Sequence, residues 1–145
     1  MKNCKKKAQY LTRKFINHLM LDGKKQKAEK IFVESLNLIY EKEKKDCLTV
    51  FFRALENSKP LVEIRSIRRG GATYQVPIPI HENRSLSLAI KWLINAARKK
   101  GSFTAFNLSV TLLKASKNQG DCIKKREAIH KVALKNRSFV HFRRF

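Results

Sequence analysis

Leu61-Val62-Glu63-Ile64-Arg65-Ser66-Ile67-Arg68-Arg69-Gly70-Gly71-Ala72-Thr73-Tyr74-Gln75-Val76-Pro77-Ile78-Pro79-Ile80 interrupts an otherwise helical chain. Two alternating runs flank a Gly-Gly pair, the pattern of a β-hairpin whose tight turn needs positive φ. Pro77 and Pro79 stand two apart, so both missing N–H groups lie on the same edge of the second run. A ladder cannot continue there, which predicts a lone two-stranded arm over about 61–80 and argues against a larger sheet.

On both sides of the arm the apolar period is helical. Leu11, Phe15 and Leu19, with Ile16 and Met20 beside them, predict a first helix from about Ala8 to Leu21, stopped by Asp22-Gly23. Ala28, Ile31, Phe32, Ser35, Leu36 and Ile39 form a second amphipathic stripe that ends in Glu41-Lys42-Glu43-Lys44-Lys45. A third starts at the N-cap candidate Asp46, places Cys47, Val50, Phe51, Ala54 and Leu55 on one face, and ends before Pro60.

After the arm, Leu86, Ala89, Ile90, Leu93, Ile94 and Ala97 make a regular stripe that stops at Gly101. Ser102 is the expected cap of a fifth helix with Phe103, Phe106, Val110 and Leu113 inward, ending at Gly120. Asp121 is the expected cap of the sixth, with Ile129, Val132 and Ala133 inward. The fold class is therefore mainly α: a six-helix domain with a protruding two-stranded β-hairpin between the third and fourth helices. Residues 1–7 read as an extended basic N-terminal extension, 8–138 as one helical domain and 139–145 as a short aromatic and basic tail.

Charge points to the partner. The 145 residues hold 33 Lys plus Arg against 11 Asp plus Glu, a formal net charge of +22, and 43% hydrophobic residues, enough to bury a core. A folded domain carrying that self-repulsion calls for a polyanion, and the phosphate backbone of RNA or DNA is the commonest. The acids concentrate between Asp22 and Glu82, so contact is expected in the first twenty residues, the arm and the second half. The stretch around Glu29, Glu34, Glu41 and Glu43 is expected to face water or another protein.

Lysine dominates the basic residues elsewhere, yet at the arm's tip all three, Arg65, Arg68 and Arg69 beside Gly70 and Gly71, are arginine. A guanidinium forks onto phosphate and stacks on bases, whereas an ammonium is a point charge, so the tip suits nucleic acid; the alternative is a solvated hairpin whose charge blocks edge pairing. On the fourth helix Arg84, Lys91 and Arg98 repeat every seven residues, Lys99 and Lys100 extend the line, and Trp92 beside it is either a stacking platform or core. Lys124, Lys125 and Arg126 crowd the first turn of the sixth helix, where the macrodipole disfavours cations, so phosphate is the economical reason for them. Lys131, Lys135 and Arg137 continue that side. The terminal Phe139-Val140-His141-Phe142-Arg143-Arg144-Phe145 suits either stacking on unpaired bases or docking on the body.

Other chemistries find little support. Cys4, Cys47 and Cys122 are odd in number without a CxxC pair, so neither a disulfide framework nor a zinc site is indicated, and the compartment reads as reducing. His18, His81, His130 and His141 are scattered and no carboxylates cluster for Mg²⁺, so no catalytic residue, metal or cofactor is expected. No apolar run reaches a membrane span, no signal or transit peptide is evident, and no small-molecule substrate is implied. An RNA-processing enzyme is thereby disfavoured. A DNA-bending arm would carry an apolar or Pro wedge at its tip, where this chain has Arg68-Arg69-Gly70-Gly71.

Val62 through Pro77 resembles the hairpin signature of the small-subunit ribosomal protein seven family, bacterial and organellar type. Three further blocks agree in order and spacing: Leu21-Asp22-Gly23-Lys24-Lys25; Leu88-Ala89-Ile90-Lys91-Trp92-Leu93 through Ala96-Ala97-Arg98-Lys99; and Lys124-Lys125-Arg126-Glu127 with His130 and Asn136-Arg137-Ser138-Phe139-Val140-His141-Phe142-Arg143. The resemblance implies a non-catalytic structural constituent of the small subunit that binds the 3′ major domain of its rRNA and nucleates head assembly. It also implies that the chain lines the mRNA exit channel beside the exit tRNA site, among neighbouring head and platform ribosomal proteins. Expected rRNA contacts are Lys5, Lys6, Lys7, Lys14, Lys24, Lys25, Arg84, Lys91, Trp92, Arg98, Lys99, Lys100, Lys124, Lys125, Arg126, Lys131, Arg137 and Arg143. Arg65, Arg68, Arg69, Gly70, Gly71 and Tyr74 are expected to turn the arm toward rRNA, mRNA or tRNA. Against the family pattern the N-terminal segment is a short lysine run and the C-terminal extension is missing. That lysine-heavy short form points to the mitochondrial matrix, with plastid stroma or bacterial cytoplasm as alternatives.

Overall fold

The structure is a computed structural model that describes residues 2–44, 46–98 and 104–143, and the side chains of these from residue 8 onward. Six α-helices and one hairpin follow in the order α1 (Lys2–Leu19), α2 (Lys25–Glu43), α3 (Cys47–Ser58), β1 (Val62–Arg69), β2 (Ala72–Pro79), α4 (Glu82–Arg98), α5 (Ala105–Ser116) and α6 (Asp121–Lys135), and a 3-10 turn (Arg137–Phe142) closes the chain.

The core grows from the predicted stripes of α1 to α4. Phe15, Phe32 and Phe51 are fully or almost fully buried, and their ring centroids stand 5.2–5.3 Å apart. Such aromatic pairs add about 0.5–1.5 kcal/mol each beyond their buried area. Leu86, Ala89, Ile90, Leu93, Ile94 and Ala97 of α4 are all buried. Asp46 caps α3 as expected: its carboxylate accepts from the Leu48 N–H and the Thr49 hydroxyl, and these bonds hold it below the usual carboxylate range.

Four expectations change. The lysine run is not an extended arm, since α1 already begins at Lys2; it ends at Leu19, where Asp22 and Gly23 take positive φ. α5 buries Leu108, Leu112 and Ala115 rather than the face of Phe106, whose ring is 53% exposed beneath the Lys42 ammonium at 4.6 Å. The helix packs between α2, α3 and α4, so a single apolar stripe does not describe it. Thr104 caps it, accepting from the Asn107 N–H at 3.3 Å, while Ser102 and Phe103 lie outside the described residues. Asp121 lies in the first turn of α6 and not at its cap; Gly120 holds that place at φ 98°, and Cys122 and Ile123 join Ala133 as the buried residues of the helix.

The hairpin forms the single sheet among the described residues, with Arg69 opposite Ala72 and Val62 opposite Pro79. Gly70 and Gly71 both have positive φ, 55° and 84°, which their lack of Cβ allows in a two-residue turn. The Ile80 N–H bonds to the Leu61 carbonyl, and by antiparallel alternation Pro77 and Pro79 occupy the pairs that do not exchange ladder bonds. Their missing N–H groups therefore face outward, so the 77–79 stretch of that edge offers carbonyls alone. The arm is less isolated than its pattern predicts. α6 packs against β1, and the 3-10 turn packs against β2.

Candidate nucleic-acid interface

A basic surface assembles where α1 meets α4. The Lys14 Nζ donates to the Asn83 carbonyl at 3.4 Å and the Arg98 guanidinium to the Leu19 carbonyl at 3.2 Å, tying the two helices together. His18 lies between these ties, its pKa lowered by burial first and then by the charges of Lys91 and Lys14. Lys14, His18 and Lys91 thus come together beside the two ties, a cationic cluster suited to face an anion. Lys91 and Arg84 are exposed, whereas Arg98 is half-buried, so the heptad line Arg84, Lys91, Arg98 is not one continuous exposed stripe. Lys5, Lys6 and Lys7 lie on α1 by their backbone, and their side chains, with Lys99 and Lys100, lie outside the described residues.

On the hairpin the three arginines have different surroundings. Arg65 pairs with Glu63 at 2.8 Å, and Arg84 of α4 reaches the other oxygen of the same carboxylate at 3.3 Å. Burial pushes the Glu63 carboxyl up, but the hydrogen bonds and charges of Arg65 and Arg84 outweigh it and its pKa falls. Arg69 stands 5.7 Å from the centre of the Phe142 ring. Arg68, one residue away and so on the opposite face, is exposed beside Gly70 and Gly71. Tyr74 does not point its ring to solvent; it packs on Phe139 and Phe142 at 5.2 and 4.9 Å.

The last helix mixes two roles. Lys124, Lys125, Lys131 and Arg137 are exposed. Arg126 is instead a clasp: its guanidinium donates to the Asn57 carbonyl at the end of α3, while the Asn57 amide donates back to Ala115 and Ser116 of α5 at 3.0 Å. With α6 starting at Asp121, Arg126 falls in the second turn and not the first, and a tertiary contact, in addition to any phosphate, accounts for that cation. Trp92 is 7% exposed and the Lys125 ammonium stands 5.6 Å from its ring, so it is core and not a platform open to a base. Arg143 donates to the Pro77 carbonyl at 3.1 Å, supplying a donor to the proline-lined edge of β2.

Comparison with known proteins decides the family. The profile of the family described as Ribosomal protein S7p/S5e matches residues 1–137. The chain belongs to this family. A small ribosomal subunit protein uS7 from Rhizobium johnstonii is 52% identical over 131 residues, covering 90% of this chain and 84% of the relative. The uS7 proteins of Vibrio vulnificus and Photobacterium profundum are 48% and 46% identical over 134 residues, 92% of this chain and 86% of each relative. As a member of the S7p/S5e family the chain is a ribosomal protein and not an enzyme. These relatives are bacterial, which favours the bacterial cytoplasm over the mitochondrial matrix expected from the lysine-heavy short form.

Three features of this S7p/S5e-family chain escaped its sequence pattern. Glu63 anchors two arginines from different elements; its place as the lone acid of the hairpin was the available signal. His130 of α6 accepts the Leu61 N–H at 3.1 Å through Nε2 and so holds the base of the arm, while Glu43 pairs with Lys117 at 2.6 Å across α2 and the end of α5. Neither contact has a local signature, because the partners lie 69 and 74 residues apart. Lys24 and Lys25 are exposed, the latter 3.7 Å from Glu29. Among the described residues no group of His, Cys, Asp or Glu is placed to hold a metal, and no helix is long and apolar enough to cross a membrane. Burial, with the Asp121 charge beside it, pushes the Cys122 thiol up to about 11, leaving it protonated and unreactive at neutral pH.

Proposed function

We propose that this S7p/S5e-family chain is an rRNA-binding structural constituent of the small subunit of a bacterial-type ribosome. Its body sits on the 3′ major domain of the rRNA and nucleates head assembly, and its arm lines the mRNA exit channel near the exit tRNA. The observation that carries the reading is the α1–α4 surface, where Lys14, His18 and Lys91 converge while the hairpin presents Arg68 on a separate projection. Lys24, Lys25, Lys124, Lys125, Lys131 and Arg137 are exposed and extend the cationic surface. Neighbouring head and platform proteins complete its partners, and the carboxylates of α2, among them exposed Glu34 and Glu41, suit protein contact better than phosphate.

Binding of the full chain to the isolated 3′ major rRNA domain tests this. Affinity should fall about tenfold per doubling of salt if ~4 phosphates are contacted, since log affinity changes with a slope of about −0.7 to −0.9 per contact. A flat salt response, or preference for duplex DNA in competition, overturns the reading. Arg68→Ala with Arg69→Ala should leave the helices folded and weaken exit-channel function more than rRNA docking; exclusion of that variant from subunits would reverse the assigned division of labour.

A further inference from the structure

The three aromatic residues joining the hairpin to the end of the chain hold one arginine of the tip while leaving its neighbour free. Tyr74 of β2 lies opposite Ile67, hence on the same face of the hairpin as Arg69 and on the other face from Arg68. On that face the Phe142 ring stands 4.9 Å from Tyr74, 6.2 Å from Phe139 and 4.1 Å from His141, and Arg69 lies 5.7 Å from its centre. Two further contacts fix the turn that carries Phe142. Arg143, its chain neighbour, donates to Pro77, and the His141 Nδ1 lies 2.7 Å from the Ser138 carbonyl. The prolines contribute directly, because an outer edge that lacks its N–H groups at 77 and 79 accepts a guanidinium there, where it could not complete pairing with a third strand.

We propose that Phe142 is a positioning residue for Arg69: the C-terminal 3-10 turn supports the guanidinium on an aromatic face so that its remaining N–H groups meet an RNA phosphate. The inference rests on the reading above that the arm lies against nucleic acid. An isolated two-stranded ribbon is marginal in water, and an arginine at its tip would otherwise lose several rotors on binding. A ring beneath the planar cation removes part of that cost before RNA arrives, while leaving the in-plane donors for the phosphate.

The test uses the full chain and a twelve-nucleotide single-stranded uridine RNA, with affinity measured from 50 to 200 mM salt. Arg69→Ala should lower the salt slope by about 0.7, one phosphate on a single strand, which is about a 2.6-fold smaller loss of affinity across that range. Phe142→Leu keeps apolar volume but removes the ring, and should produce the same drop in slope with an unchanged helical circular-dichroism signal. Phe142→Trp should retain the parental slope, and combining Phe142→Leu with Arg69→Ala should lower it no further than either alone. An unchanged slope in Phe142→Leu beside a lowered one in Arg69→Ala, or additive effects in the double variant, overturns the positioning role while the arm reading stands. No change in Arg69→Ala itself overturns both.

Discussion

The helical body and the hairpin with its terminal turn are held together by different physics. In the body, Phe15, Phe32 and Phe51 interlock at the centre and α4 contributes nine buried residues, so stability is spread over many apolar contacts. The arm has few: Val76 and Pro77 are its buried residues, and single polar contacts fasten it. Its base is held by His130 on Leu61 and by the Ser85 hydroxyl on the Pro60 carbonyl at 2.7 Å, its flank by Glu63 with Arg84, and its outer edge by Arg143. A body stabilised by burial keeps its shape over a range of conditions. An arm fastened by individual hydrogen bonds and ring contacts can be altered one contact at a time, which suits a projection that must fit a ligand.

The comparison breaks most visibly if the body proves no more cooperative than the arm. Phe51→Ala removes a fully buried ring in contact with those of Phe15, Phe32 and Phe52 and should cost about 3–5 kcal/mol, read as a large fall in the thermal midpoint of the helical signal. A loss no greater than that of an exposed substitution would show that the aromatic triad is not the centre of stability.

Arg126 sharpens the boundary between fold and binding. Arg126→Ala removes a charge-assisted bond between α6 and Asn57 and should destabilise by about 1–3 kcal/mol, whereas exposed Lys124→Ala should leave the midpoint nearly unchanged and weaken RNA affinity. Thermal melts and salt-dependent binding on the two variants separate the roles; equal loss of stability in both would erase the distinction.

The smallest effect is expected at the base of the arm. His130 accepts the Leu61 N–H with its neutral ring, and burial first, then the Arg126 charge, lowers its pKa against an opposing pull from Glu127. The folded state therefore resists protonation more than the unfolded chain, whose histidine titrates near ~6.5. That contribution is fully present above ~6.5, declines as pH falls through the window below it, and is lost once pH passes the lower folded value. Protection of the Leu61 amide, expressed relative to the slower intrinsic exchange at lower pH, should fall on acidification from pH 7.5 to 5.5 more than protection in α4, and a uniform response across both would refute local loosening.

Much of this was legible in residue order alone. The stripes of α1 to α4 reappear as the buried face almost residue for residue, because an amphipathic helix has one way to hide its apolar side. The Gly70-Gly71 turn and the proline-lined edge were likewise local, since φ and the missing N–H belong to the residues themselves. α5 was misread because it packs against three helices at once, and a helix surrounded by neighbours loses the period that marks a single buried face. Lys91 and Lys124 kept the exposure their pattern implied, while Arg98, Arg126, Arg143 and Trp92 were drawn into the fold.

Charge and periodicity thus established a basic helical protein with a β-arm, since both are summed over neighbours in the chain and need no knowledge of its path. Which cations remain free for a polyanion was settled only when distant segments met. Asn57 reached Arg126, Pro77 reached Arg143 and Phe142 reached Arg69 across separations that no local pattern encodes. An arginine is the same residue whether it faces a phosphate or a buried carbonyl, and folding chooses the acceptor.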